Sequence, residues 1–379
     1  MSANYESLIR GISPSITRKP TPESVLQRGA PVCDEEPTVR ARLAAQLSTV
    51  KGQVKGGGTG RALLKLRTGN RSERISAARE LGDVALAEGR RVPEAVVPLC
   101  VALKSDADPA VRQEAAWSLW KLSDDRAHRP LMAALVGDKS SRVREKAARA
   151  LGLMGVEDAA PIMMDLLSLG KHIPGRLRAA LAASLGFIAE EEALPLLIEA
   201  ADDPEPAVRQ EAVQSLGRYL VDFDGSVTDR AFSRLSRFVQ ARTESCPAIR
   251  QAAIKALRMS PQGRANEAVA RAAVADTDPA VRELAAETLL LWNSAASEAA
   301  LVEMLSDDVW SVRKSAARSL ARFVRRHGVH SSASACEALY RMTRMFPSAS
   351  QERKLAEEAI SSLDPSRESS RRRADSRAC

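Results

Sequence analysis

Arginine returns along this chain at nearly regular steps. It stands at Arg40, Arg74, Arg112, Arg144, Arg178, Arg209, Arg250, Arg282, Arg313 and Arg353, at intervals of 34, 38, 32, 34, 31, 41, 32, 31 and 40 residues. Seven residues after each stands an aliphatic side chain: Leu47, Leu81, Leu119, Leu151, Leu185, Leu216, Leu257, Leu289, Leu320 and Ile360. Three after each stands a small or aliphatic one, as Ala77, Ala115, Ala147 and Leu181, and Val111, Val143, Leu177, Val208, Ile249, Val281 and Val312 immediately precede their arginines. Offsets of −1, +3 and +7 share one face of an α-helix, so each unit ends in an amphipathic helix with a narrow, small-residue face. A period of this length is the mark of a repeat array, whose units bury their apolar faces only against each other.

A second apolar helix precedes each of these, as in PEAVVPLCVALKS and EAALVEMLSDD. The join is short. Asp108-Pro109, Glu36-Pro37, Glu205-Pro206 and Asp278-Pro279 set an acid at the helix N-cap and proline in the first turn, where its missing N–H is not needed. Each unit is a helical hairpin of roughly 32 residues. Composition agrees: apolar residues make up 45% of the chain but aromatics only 3%, a core of alanine, leucine and valine that lets helices approach closely. The predicted fold is all-α, a solenoid of nine or ten hairpins over residues 33–363. It is preceded by a Ser/Thr/Pro-containing tail, 1–32, and followed by a basic tail, 364–379. The glycine-rich KGGGTGR lacks the ending of a phosphate loop and reads as a flexible loop over 52–60 in an irregular first unit. Long intervals follow Leu86, Leu220 and Val324, where insertions are expected to extend loops on one edge.

The motif written here as DADPAVRQEAAWSLW, DTDPAVRELAAETLL and DDPEPAVRQEAVQSLG resembles HEAT repeats, of the short HEAT-like type found in phycobilisome lyases. An acid six residues before the arginine also recurs, as Asp34, Asp106, Asp138, Asp203, Asp276 and Asp307, with Glu244 as a near match. The resemblance implies a structural ladder between hairpins, built from these acids and Arg40, Arg112, Arg144, Arg178, Arg209, Arg250, Arg282 and Arg313. Thr68, His172 and Pro347 replace the acid, and Glu73 and Glu352 replace the preceding apolar residue, which makes the units at Arg74 and Arg353 irregular or capping.

In such arrays the second helices resemble those lining a concave surface. The fifth position after each arginine then points outward, and there Trp117 is the large apolar residue. Flanked by Arg79 and Arg149, with Lys146 one turn away and Lys255 and Arg318 further along, it is the candidate site for an acidic or aromatic segment of a protein partner. The competing reading is that Trp117 packs against its neighbours, while Trp120 wedges between hairpins in a slot that Gly152, Gly186 and Gly217 hold elsewhere.

Charge limits other functions. Residues 1–66 carry 10 basic against 5 acidic side chains, residues 67–363 carry 41 against 40, and the C-terminal tail 5 against 3. A neutral body weighs against nucleic acid, although Trp117 with Glu114 is a partial analogue of a HEAT-like DNA glycosylase cleft. A bilin lyase or lyase subunit is the enzymatic alternative that the resemblance implies. The family's iron-dependent hydroxylases need His-Glu pairs, and none of His128, His172, His327 and His330 precedes a glutamate. No metal and no cofactor is expected. Five scattered cysteines and the lack of a long apolar run point to a reducing, cytoplasmic location without a membrane span. The sequence therefore leads to a non-catalytic scaffold or adaptor.

Overall fold

The computed structural model describes residues 58–88, 92–222, 225–240, 244–259, 264–327 and 332–362. Within them the chain forms nine helical hairpins. These pair α1 (Gly58–Thr68) with α2 (Arg71–Glu88), α3 (Pro93–Ser105) with α4 (Pro109–Leu122), and α5 (His128–Gly137) with α6 (Ser141–Leu153). Next come α7 (Ala160–Ser168) with α8 (Gly175–Ile188), α9 (Leu194–Ala200) with α10 (Pro206–Asp222), and α11 (Ser226–Phe238) with α12 (Pro247–Leu257). The last are α13 (Asn266–Ala275) with α14 (Pro279–Leu289), α15 (Ala295–Glu303) with α16 (Trp310–His327), and α17 (Ser332–Met345) with α18 (Gln351–Ser362). No strand occurs among the described residues.

The repeat columns make the core. Leu81, Leu119, Leu151, Leu185, Leu216, Leu257, Leu289 and Leu320 are fully buried, as are Val111, Val143, Leu177, Val208, Ile249, Val281 and Val312. Each such leucine contributes about 1.5–3 kcal/mol when withdrawn from water. The even-numbered helices pack against one another far more closely than the odd-numbered ones do, so they form the inner layer of a curved solenoid and the odd-numbered helices the outer layer.

Close approach in the inner layer depends on small residues facing each other. A Cβ on Gly152 would lie 2.5 Å from Cα of Ser184, and one on Gly186 would lie 2.2 Å from Oγ of Ser215. These serines hydrogen-bond across the gap, Ser184 Oγ to the Ala148 carbonyl at 2.8 Å and Ser215 Oγ to the Ala182 carbonyl at 2.9 Å. A buried hydroxyl thereby gains its acceptor where the backbones nearly touch.

Turn chemistry is local. Asp108 caps α4 by accepting the Ala110 N–H, and Asp278 caps α14 by accepting those of Ala280 and Val281, with Pro109 and Pro279 in the first turns. Glu73 has a different task from the valine it replaces. Its carboxylate accepts the Asn70 N–H while the Asn70 side chain accepts the Glu73 N–H, a reciprocal capping box that opens α2.

Two expectations are corrected. The glycine-rich loop ends earlier than residue 60, because α1 begins at Gly58 and the buried Ala62, Leu63 and Leu66 anchor a helix that runs back through Gly60. The insertions lengthen inner helices as well as loops: α2, α10 and α16 have 18, 17 and 18 residues, against 11 in α12 and α14. The sequences after Leu86, Leu220 and Val324 continue the helical pattern before they turn. The hairpin around Asp34 and Arg40, the remaining glycines of the first loop and both tails lie outside the described residues.

Candidate functional site

The turn within each hairpin carries the acid and arginine columns, and there the two interlock. In six hairpins the arginine donates through Nε and Nη2 to both oxygens of one carboxylate in the next hairpin. The distances are 2.8 and 3.1 Å for Arg74 on Asp106, 2.7 and 2.9 Å for Arg112 on Asp138, and 2.6 and 2.8 Å for Arg178 on Asp203. They are 2.8 and 3.1 Å for Arg209 on Glu244, 2.8 and 2.7 Å for Arg250 on Asp276, and 2.7 and 2.9 Å for Arg282 on Asp307. The third nitrogen, Nη1, donates to a carbonyl of the arginine's own turn, as Arg112 does to Asp106 and Arg250 to Glu244. Each acid also accepts the N–H two residues on, as Asp276 does from Asp278. The parallel fork of a guanidinium matches a carboxylate in this way, and lysine would not.

Among the described residues the ladder is interrupted at two places. Arg144 meets a hairpin in which exposed His172 holds the acid's register, and Arg313 meets one in which Pro347 does. Arg313 instead donates to the carbonyls of Asp307 and Asp308. The rung of Asp34 and Arg40 lies outside the described residues.

On the inner layer Trp117 is partly exposed. Its ring lies 4.6 Å from that of Trp120, centroid to centroid, and the Lys146 ammonium sits 4.5 Å above it. Trp120 is likewise partly buried and packs against the core. Trp117 is thus partly buried, with Trp120 against its ring and a cation over it. The flanking arginines are not open as the sequence suggests. Arg79 donates to Glu114 at 2.9 Å, and Arg149 lies 3.7 Å from Glu145 and 3.3 Å from Glu211. Glu114, the acid of the partial glycosylase analogue, is thus held in an ion pair.

The other candidates are separate from this patch. Lys255 is exposed on α12, and Arg318 on α16 pairs at 2.7 Å with Glu352 of α18, which Lys314 approaches at 3.7 Å. Glu352 is almost fully buried, so this acid in the apolar column serves two cations of the preceding inner helix. Its charge in a column that is otherwise apolar except at Glu73 is the sequence signal for that pairing.

Among the described residues no group of three or more His, Cys, Asp or Glu side chains is arranged to hold a metal, and no helix is long and apolar enough to cross a membrane. His128 lies 3.7 Å from Asp125, and His172 is exposed.

Residues 96–173, 169–258, 235–321 and 266–361 match the family described as HEAT repeats. Over 129 residues the chain is 31% identical to deoxyhypusine hydroxylase-B of Oryza sativa subsp. japonica, a stretch equal to 34% of this chain and 42% of that protein. The chain thus spans less than half the length of this relative. Among solved structures it is similar to the complex of CpcE and CpcF of phycocyanin lyase from Nostoc sp. PCC7120, at 20% identity over 77% of this chain and 97% of that one, with a TM-score of 0.39. It is also similar to Kap121p, at 15% identity over 80% of this chain and 36% of the other, with a TM-score of 0.53. The likeness to Kap121p is one of fold.

Proposed function

Since the chain belongs to the HEAT-repeat family, we propose that it is a non-catalytic scaffold that holds a protein partner on the inner layer formed by the even-numbered helices. The observation that carries this reading is the Trp117 patch. A partly exposed indole, beside Trp120 and overlain by Lys146, stands on the inner helix α4. Tryptophan is among the residues most enriched at the hot spots of protein interfaces. Because Arg79 and Arg149 already hold glutamates, the attraction for an acidic or aromatic segment rests on Trp117 and Lys146. The hydroxylase and lyase activities named for similar proteins are not transferred, because fold-level likeness does not carry a site.

The test is affinity capture from an extract of the source cells by wild type, Trp117→Ala and Lys146→Glu, with helical content and melting temperature checked for each. One partner retained by wild type and lost by both folded variants supports the reading. Equal recovery of every bound protein by all three overturns it.

A further inference from the structure

Six rungs of the ladder are filled by the chain itself, and all six share one geometry: Nη1 on a carbonyl of the arginine's own turn, Nε and Nη2 on the next hairpin's carboxylate. Arg313 has the first half of that geometry. Its Nη1 donates to the carbonyl oxygens of Asp307 and Asp308, at 2.5 and 2.9 Å, which holds the guanidinium in the orientation of its siblings. The second half is not supplied. Pro347 occupies the acid's register, and no carboxylate among the described residues forms an ion pair with Arg313.

The surroundings of this rung differ from the rest as well. Four of the six filled rungs stand on inner helices that begin with proline, α4, α10, α12 and α14, and those on α2 and α8 begin with Arg71 and Gly175, whereas α16 begins with Trp310. Trp310 is 48% exposed, and its ring stacks 5.1 Å from that of buried Phe346, with the Arg313 guanidinium 5.2 Å from its centroid. A cationic fork with two donors unfilled among the described residues thus lies beside a large exposed apolar ring, in the first turn of α16 at the edge of the inner layer.

We propose that this open rung binds a carboxylate side chain of a partner polypeptide, an Asp or Glu whose apolar neighbour packs on Trp310. The incoming carboxylate takes the place that Asp307 takes on Arg282, accepting from Nε and Nη2. The six filled rungs show what this fork selects: both oxygens of a planar anion, at hydrogen-bond distance. The exposed indole adds apolar area and sequence preference. The inference does not rest on the Trp117 patch, and the two surfaces are tested by different substitutions.

The experiment is a calorimetric titration of the full chain with a blocked pentapeptide carrying a central Asp between two leucines, and with its Asn analogue. Charge-assisted bidentate contacts predict a preference of about tenfold or more for the Asp peptide. Pro347→Asp, which supplies the rung from within, should abolish that preference and raise the melting temperature. Arg313→Gln should abolish it without raising the melting temperature, and Trp310→Ala should weaken both peptides by about threefold to tenfold. Equal binding of the Asp and Asn peptides, or a preference that survives Pro347→Asp, overturns the proposal. So does a preference that emerges only when Asp364, Glu368 and Asp375 are changed together to their amides, because the occupant is then the chain's own C-terminal segment.

Discussion

The guanidinium of Arg250 and the carboxylate of Asp276 join α12 to the turn before α14 through two hydrogen bonds of 2.8 and 2.7 Å, and their side chains are 2% and 0% exposed. This is the most enclosed rung of the ladder. Arg250→Ala would leave Asp276 buried without its cation, a change that costs about 3–5 kcal/mol. Loss of protection by hydrogen exchange centred on α12 to α14, with a lowered urea midpoint, is the expected result.

Gly152 marks the other device that joins hairpins. Gly152→Ala sets a methyl group 2.5 Å from the Ser184 backbone, so α6 and α8 must move apart, at about 1–3 kcal/mol. Gly137→Ala, at the end of α5, meets nothing within 4 Å and should be neutral or slightly stabilising. Equal melting temperatures for the two variants would contradict the close-approach role.

Acid should weaken the ladder before it melts individual helices. Burial works to raise the carboxyl groups of Asp203, Glu244 and Asp307, but hydrogen bonds from Arg178, Arg209 and Arg282, with backbone N–H groups, outweigh it and hold all three below their ordinary values of 3.8 and 4.5. A carboxyl depressed in the folded state contributes stability that is complete above its unfolded pKa and lost as pH falls through the folded one. The melting temperature should therefore hold above about pH 5 as far as these groups are concerned and drop steeply below about pH 4. Glu244→Gln should make that drop shallower.

Burial pushes the thiol of Cys100 on α3 up to about 11, with a smaller lowering by the Arg126 charge and a smaller raising by that of Asp124. At pH 8 only about a thousandth of it is thiolate, so alkylation by iodoacetamide should run about a hundredfold slower than for an ordinary free thiol. Peptide mass spectrometry after timed labelling measures this directly.

The periodic arginine, the leucine column and the Asp-Pro turns determined the hairpin, its length and its number of copies, because each is a local pattern that a helix expresses wherever it occurs. The acid column was visible too, and so were its gaps at His172 and Pro347. Partnership was not. A sequence shows that Arg79 and Arg149 flank Trp117 but not that Glu114 and Glu211 reach them first, since those pairs join different hairpins. Glu352 looked like a defect in an apolar column until the fold set it beneath Arg318 and Lys314. Tertiary structure also decided which rungs close: six arginines find a carboxylate in the next hairpin, while Arg313 arrives at Pro347 with its fork unfilled by the described residues. The physical reason is that periodicity fixes where a side chain leaves its own helix, whereas the energy of a charge depends on the groups that another helix brings within 3 Å of it.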